Sequence, residues 1–406
     1  MIKITGQNDK TAVQDEKVRL WTREYVITTF VNFLVAMNYL LLMIVISEYA
    51  MNELHASSGI AGLSAGIFVI GALVARLFTG KYIAQTGCKK MLCTGLVSAL
   101  VASLAYFCAG NVALLIAVRF IHGATFGVIS TSAATIIADI VPEKRRGEGI
   151  GYYSLSQTLA TAIGPFLGMW FSRSGNYNMI FTACTVVAAA CVLTAPFLSL
   201  KKLALTEEQI KGMKGFRLSN FIEYKAVPIS IIALLIYVCY SSIVSFIAVY
   251  AKEIDLVEAA GFFFIVEAIV VLASRPSIGK TFDRRGEHVI MYPAIAAFGA
   301  GMFLFSQSYQ SMTLLLAAAC IGLGLGAIQL STQAIAVKVA SQHRMGLANS
   351  TYFMLCDIGI GAGPVLVGFM IPFTSYRGMY AVMAAVTFAC IFLYFLLHGR
   401  SKSLYD

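Results

Sequence analysis

Twelve apolar runs of roughly 20 residues, separated by short polar gaps, fill most of the chain. They fall at about 25–47, 60–79, 90–109, 112–136, 149–171, 178–199, 226–250, 259–278, 289–307, 311–336, 346–371 and 378–397. A run of this length crosses the hydrocarbon of a bilayer as an α-helix. Within lipid every backbone polar group must be satisfied internally, which leaves only helices and closed barrels. Barrel strands alternate polar and apolar residues, and these runs do not. The sequence therefore predicts an all-α membrane protein of twelve transmembrane helices. Composition agrees, with 59% hydrophobic and 12% charged residues where a soluble domain carries about a quarter charged.

The net charge of +10 does not point to nucleic acid, because the basic residues sit between apolar runs rather than on one aromatic-studded face. With the N-terminus placed in the cytoplasm, 26 of the 30 Lys and Arg fall in the tails, the even-to-odd loops and the central linker. Only Arg173, Lys252 and Arg377 fall outside, and Arg119 lies within a run. That bias sets the expected orientation, with both termini cytoplasmic. The nine cysteines form no CxxC pair or Cys/His cluster, so neither a metal site nor a disulfide framework is expected. No small-residue cleavage site follows the first run, which reads as a retained span.

A single ungapped offset of 199 places Arg76, Gly80, Gly87, Gly123, Gly164 and Pro165 on Arg275, Gly279, Gly286, Gly322, Gly363 and Pro364. The chain is thus predicted to be a parallel duplication. Its parts are a cytoplasmic tail (1–24), a six-helix lobe (25–199), a basic linker (200–225), a second six-helix lobe (226–397) and a short cytoplasmic tail (398–406). The linker is expected to be partly helical and to lie on the anionic inner leaflet.

Two lobes of six spans in the same orientation are the plan of rocking-lobe secondary transporters. At this point the residues resemble the major facilitator superfamily, most of all its twelve-span drug:proton antiporter branch. The loop signature Gly-x3-Asp-Arg-x-Gly is met by Gly279, Asp283, Arg284 and Gly286. It is met only in part by Gly80 and Gly87, since Ala84 and Gln85 replace the acid and the base. Span 4 carries Arg119, Gly123 and Gly127, and span 5 carries Gly164, Pro165 and Gly168 in the antiporter pattern. Span 11 repeats that pattern in Gly359, Gly363 and Pro364. The resemblance implies that the bent spans 5 and 11 seal the path, and that spans 1, 4, 7 and 10 line it. Close packing of helices is the other role open to the Gly-Pro pairs.

An acidic loop residue can bind the partly positive N-terminus of a helix. Asp283 is therefore expected near the start of span 5, around Gly147 to Gly151, as a one-sided latch of the inner gate. A merely solvated turn is the alternative. Arg76 and Arg275, at the loop ends of their spans, belong to the same gating group. Within the spans, Arg119, Glu267 and Asp357 are costly to place in lipid and read as functional by default. Glu267 and Asp357 are the expected proton-exchange sites, with Arg119 across the cavity as their bias. A protonated acid hydrogen-bonded to its neighbour helix is the other possibility for each. The cavity is expected to be lined by Asn32, Tyr39, His122, Tyr237, Tyr240, Ser241, Gln329 and Gln333, although any of these could serve interhelical bonding instead.

The expected function is proton-coupled export of small amphipathic molecules by alternating access. Protons, a small-molecule substrate and the lipid bilayer are its partners, and no cofactor or nucleic acid is implied. A monomer in a bacterial cytoplasmic membrane is expected. Uptake symport of a sugar or organic acid is the rival within the class. A membrane enzyme or receptor scaffold is the rival outside it, but there is no HExxH and no Gly-x4-Gly-Lys-Ser/Thr loop.

Overall fold

The computed structural model describes residues 20–172, 176–200, 205–213 and 215–399. Among them lie twelve long helices and one short one. The first half holds α1 (Arg23–Asn52), α2 (Ser58–Thr86), α3 (Cys88–Ala105), α4 (Val112–Ile140), α5 (Arg146–Ser172) and α6 (Tyr177–Thr194). The short α7 (Glu207–Gly212) lies in the linker. The second half holds α8 (Val227–Glu253), α9 (Val257–Arg285), α10 (Glu287–Ser306), α11 (Ser311–Lys338), α12 (Met345–Gly368) and α13 (Ile371–Tyr394). Eleven helices are long and apolar enough to cross a membrane. The helix left out is α5, equally long at 27 residues but more polar, with Arg146 and Glu148 in its first turn and Ser154, Ser156, Gln157 and Thr158 beyond. Large apolar side chains point outward, among them Val101, Leu193 and Phe392, each more than 60% exposed. A surface of that kind suits lipid rather than water.

Local chemistry sets the helix ends. Thr22, Asn111 and Asn176 cap α1, α4 and α6 by accepting from the N–H of Tyr25, Leu114 and Met179. Each such cap contributes about 1 kcal/mol. Two expected loops turn out to be helix. Residues 80–86 and 279–285 continue α2 and α9 for two further turns beyond the apolar runs. Polar side chains there meet other parts of the protein, Lys81 the linker and Asp283 the start of α5, so the helix continues where hydropathy stops. The helices end at Gly87 and Gly286, with φ of 90° and 83°, a region that glycine enters without a Cβ clash.

Within the first half α1 packs on α5, α2 on α4 and α3 on α6; within the second, α8 packs on α12, α9 on α11 and α10 on α13. The halves meet along α5–α9 and α2–α12. Close approach depends on glycine. A Cβ at Gly123 of α4 would fall on the carbonyl oxygen of Phe68 in α2.

The described part of the linker folds against helix ends rather than resting only on lipid. Lys81 Nζ donates to the Gly215 carbonyl at 3.0 Å, and the Glu223 N–H donates to Thr351 Oγ1 at 2.9 Å. Arg344 pairs with Glu223. These contacts gather the linker, the C-terminus of α2 and the N-terminus of α12 at one end of the bundle, here the linker end.

Candidate transport path

Where the halves meet, Arg76 of α2 reaches Asp357 of α12, Nε to Oδ2 at 2.8 Å. The Arg76 side chain is 4% exposed. Its Nη1 donates to Ser130 at 3.1 Å and Thr131 at 3.3 Å on α4. Its guanidinium lies 4.8 Å from the centre of the Phe353 ring, and its carbonyl accepts from Ser350. Because α2 runs on to Thr86, Arg76 is not a loop-end residue but lies well inside a helix. A charge-assisted bond in such surroundings is strong, and here it ties one half to the other.

Arg119 is not the partner of either acid. Its Nε donates to the Ser64 carbonyl at 3.1 Å, Nη2 to that of Ala65 at 3.4 Å, and Nη1 to Tyr106 Oη at 3.4 Å. All three nitrogens are thus spent inside the first half, and the guanidinium also lies over the Phe68 ring at 4.7 Å. The sequence could not show this, because two of the three acceptors are backbone carbonyls of α2. His122 is a packed histidine, with Nδ1 3.1 Å from Tyr106 Oη. Asn32 donates to Ser156 across α1–α5 at 2.9 Å. Tyr39 stacks on Phe68, with ring centres 4.3 Å apart, within electrostatic reach of Arg119, Asp357 and Arg76.

In the second half Glu267 of α9 is buried beside Tyr240 of α8, and its Oε2 has no hydrogen-bond partner. Tyr237 lies within electrostatic reach of both Arg275 and Asp357. Arg275, 1% exposed, donates from Nη2 to Gln329 Oε1 at 2.6 Å. Gln333 bonds Asn349 at 3.4 Å, and Ser241 bonds the Val238 carbonyl of its own helix. Of the residues expected to line a cavity, Asn32, His122, Ser241 and Gln333 therefore make structural bonds here. Tyr39, Tyr237, Tyr240 and Gln329 surround the buried charges.

At the linker end Asp283 Oδ1 accepts from the N–H of Gly147 at 2.6 Å, and Oδ2 from that of Glu148 at 2.8 Å. The carboxylate so caps the first turn of α5, where the unpaired N–H groups carry partial positive charge. Gly279 makes the approach possible, since a Cβ there would come within 2.9 Å of Glu148 Cα and the Gly147 carbonyl. The exposed Arg284 stands in the last turn of α9, where a cation suits the helix dipole. Gly80 lies against Ser350, and Gly164 against Met37 and Leu40 of α1. Gly363 lies against Ser241 of α8. Pro165 and Pro364 sit inside continuous helices beside those glycines. Within each half these pairs serve close helix packing.

An all-helical bundle of spanning helices, with the buried Arg76–Asp357 pair where its two halves meet, is the architecture of a multi-pass membrane transporter. The family model of the Major Facilitator Superfamily matches residues 28–364 and 296–404, and the chain belongs to that superfamily. Its members are transporters, not enzymes. The chain is 25% identical over 342 residues to multidrug resistance protein 1 of Bacillus subtilis, covering 81% of this chain and 85% of that protein. It is 23% identical over 366 residues to the staphylopine export protein of Staphylococcus aureus, covering 85% and 89%. Its fold is similar to the crystal structure of the transporter FucP in the outward conformation, with a TM-score of 0.74 at 14% identity over 92% of this chain and 99% of that one.

Proposed function

We propose that the chain is a proton-coupled exporter of small amphipathic molecules that works by alternating access. The observation that carries this reading is the Arg76–Asp357 pair between α2 and α12. An ionised Asp357 holds these helices together, and a proton on its carboxyl dissolves the ion pair. A proton therefore has different affinity for the conformers with and without the α2–α12 contact, which is what coupling requires. Arg76 takes the role expected of Arg119, Glu267 is the second proton site, and Asp283 latches the linker end. The names of the relatives, multidrug resistance and export, support the direction.

In this reading twelve helices span the membrane as two six-helix lobes, 25–199 and 226–397, joined by residues 200–225. Tails 1–24 and 398–406 and the linker face the cytoplasm of a bacterial cell, and the transporter is a monomer. Protons enter from outside while the linker end is closed, release the Arg76–Asp357 contact, and leave inward as cargo binds.

The test is purified protein in liposomes with an imposed pH gradient and a panel of cationic, neutral and anionic amphipathic dyes as cargo. Asp357→Asn is expected to abolish pH-driven efflux and to spare exchange of the same dye at equal pH. Full pH-driven efflux in both Asp357→Asn and Glu267→Gln would remove the coupling sites.

A further inference from the structure

Arg275 is the offset-199 mate of Arg76, and the two guanidinium groups sit in parallel surroundings. Arg76 donates to Ser130, and Arg275 donates to Gln329, which is position 130 plus 199. The carbonyl of Arg76 meets Ser350 of α12, and that of Arg275 lies against Gly151 of α5, which is 350 minus 199. One element of the parallel is missing. Arg76 has the carboxylate of Asp357, whereas the mate of Asp357 is Thr158. The Thr158 hydroxyl turns back to the Ser154 carbonyl of its own helix at 3.4 Å.

Arg275 is consequently left with one neutral acceptor, and its Nε and Nη1 have no hydrogen-bond partner. Arg119, by contrast, has a partner for each nitrogen. An unpaired guanidinium buried between α9, α11 and α5 is costly, and such groups in membrane proteins mark ligand paths. Nε, the atom by which Arg76 meets Asp357, is free to take one oxygen of an anion, and Nη1 on the far side of Cδ is a second free donor. The guanidinium meets Gln329 of α11, and the backbone carbonyl of Arg275 lies against Gly151 of α5, which puts this turn of α9 at the meeting of the halves rather than against lipid.

We infer that Arg275 receives a carboxylate of the transported molecule, so that the cargo is an amphipathic acid whose anionic group takes the place that Asp357 holds beside Arg76. This rests on the export reading above and narrows its substrate class. Gln329 positions the guanidinium, and Tyr237, near both Arg275 and Asp357, links cargo to the proton site.

The test is equilibrium dialysis of the purified full chain in neutral detergent with dansylglycine and with its uncharged amide, dansylglycinamide. The wild-type protein is expected to bind the acid about tenfold more tightly or better, the scale of one charge-assisted hydrogen bond. Arg275→Gln is expected to bring the two probes within about twofold on the same scale. Thr158→Asp, which keeps the arginine and supplies an internal carboxylate, is expected to do the same. Equal binding of the two probes by the wild type, failure to bind either, or a preference that survives both variants overturns the inference. Binding is read without flux, so loss of pH-driven efflux with the preference intact would sink the export reading and leave this one standing.

Discussion

Arg76 of α2 and Asp357 of α12, 281 residues apart in sequence, stand 2.8 Å apart where the two halves of the bundle touch. Removing either partner leaves the other charge in a poor solvent. For fully buried pairs that costs about 3–5 kcal/mol. The Asp357 side chain is 25% exposed, so a loss of about 2 kcal/mol is expected for Arg76→Gln or Asp357→Asn. The double variant should melt above either single variant in detergent, because no lone charge remains. A double variant whose loss equals the sum of the singles would show that the pair is not coupled.

The Asp283 cap on α5 can be probed by a milder change. Asp283→Asn keeps one acceptor oxygen, loses the charge, and turns an –NH2 toward a backbone N–H. The expected loss is about 1.5–3 kcal/mol, the scale of hydrogen bonds to a charged group, concentrated at the linker end. Leu330, buried against Gly151, reports on that end. In a background without native cysteines, Leu330→Cys should react several-fold faster with a membrane-impermeant maleimide when Asp283→Asn is added. An unchanged rate would argue that the carboxylate does not hold the gate.

The spans were legible because lipid permits so few backbone arrangements, and the Asp283 contact because a helix N-terminus attracts an acid wherever the chain brings one near. The partner of Asp357 was hidden for a definite reason. Hydropathy ends the second run near residue 79, but α2 continues to Thr86, which moves Arg76 from an apparent loop end to the interior. The adjacent hydroxyls of Ser130 and Thr131 in α4, which now bond Arg76, were a usable signal for a buried cation nearby. Nothing in side-chain chemistry could have given the carbonyls of Ser64 and Ala65 as the acceptors of Arg119. Backbone acceptors carry no residue signature.

Glycine packing in α4 can be tested against an internal control. A Cβ at Gly123 would overlap the Phe68 carbonyl, whereas one at Gly261 of α9 meets nothing within 4 Å. Gly123→Ala is expected to lower the folded yield sharply, as overpacking against backbone cannot relax by a rotamer change. Gly261→Ala should leave melting within about 0.5 kcal/mol or raise it slightly, through lower unfolded-state entropy. The check is size-exclusion yield and detergent melting of both. Equal behaviour would mean that α2 and α4 can part without penalty.

Asp283 of the second half caps a helix of the first, and one substitution should supply the matching cap in the other direction. Ala84 is the offset-199 mate of Asp283, and Gly346 that of Gly147. Ala84 and Gly346 line one cavity of about 430 Å³ at the linker end, together with Gly87, Lys89, Thr135 and Met345. The first turn of α12 has no side-chain cap, since Arg344 stands at the capping position. The Met345 N–H is taken by the Gln342 carbonyl, but no side chain caps the turn, and the adjoining cavity has room for a carboxylate. Ala84→Asp is expected to cap α12 and to stabilise the closed linker end by about 1 kcal/mol. Two consequences should appear together: a higher melting temperature in detergent, and slower maleimide labelling of Leu330→Cys. Under the alternating-access reading proposed above, the added cap also slows dye exchange at equal pH, since in that reading the linker end opens once in each cycle. Faster labelling with Ala84→Asp would mean that the new carboxylate is repelled or solvated, and that the cavity does not mirror the Asp283 site.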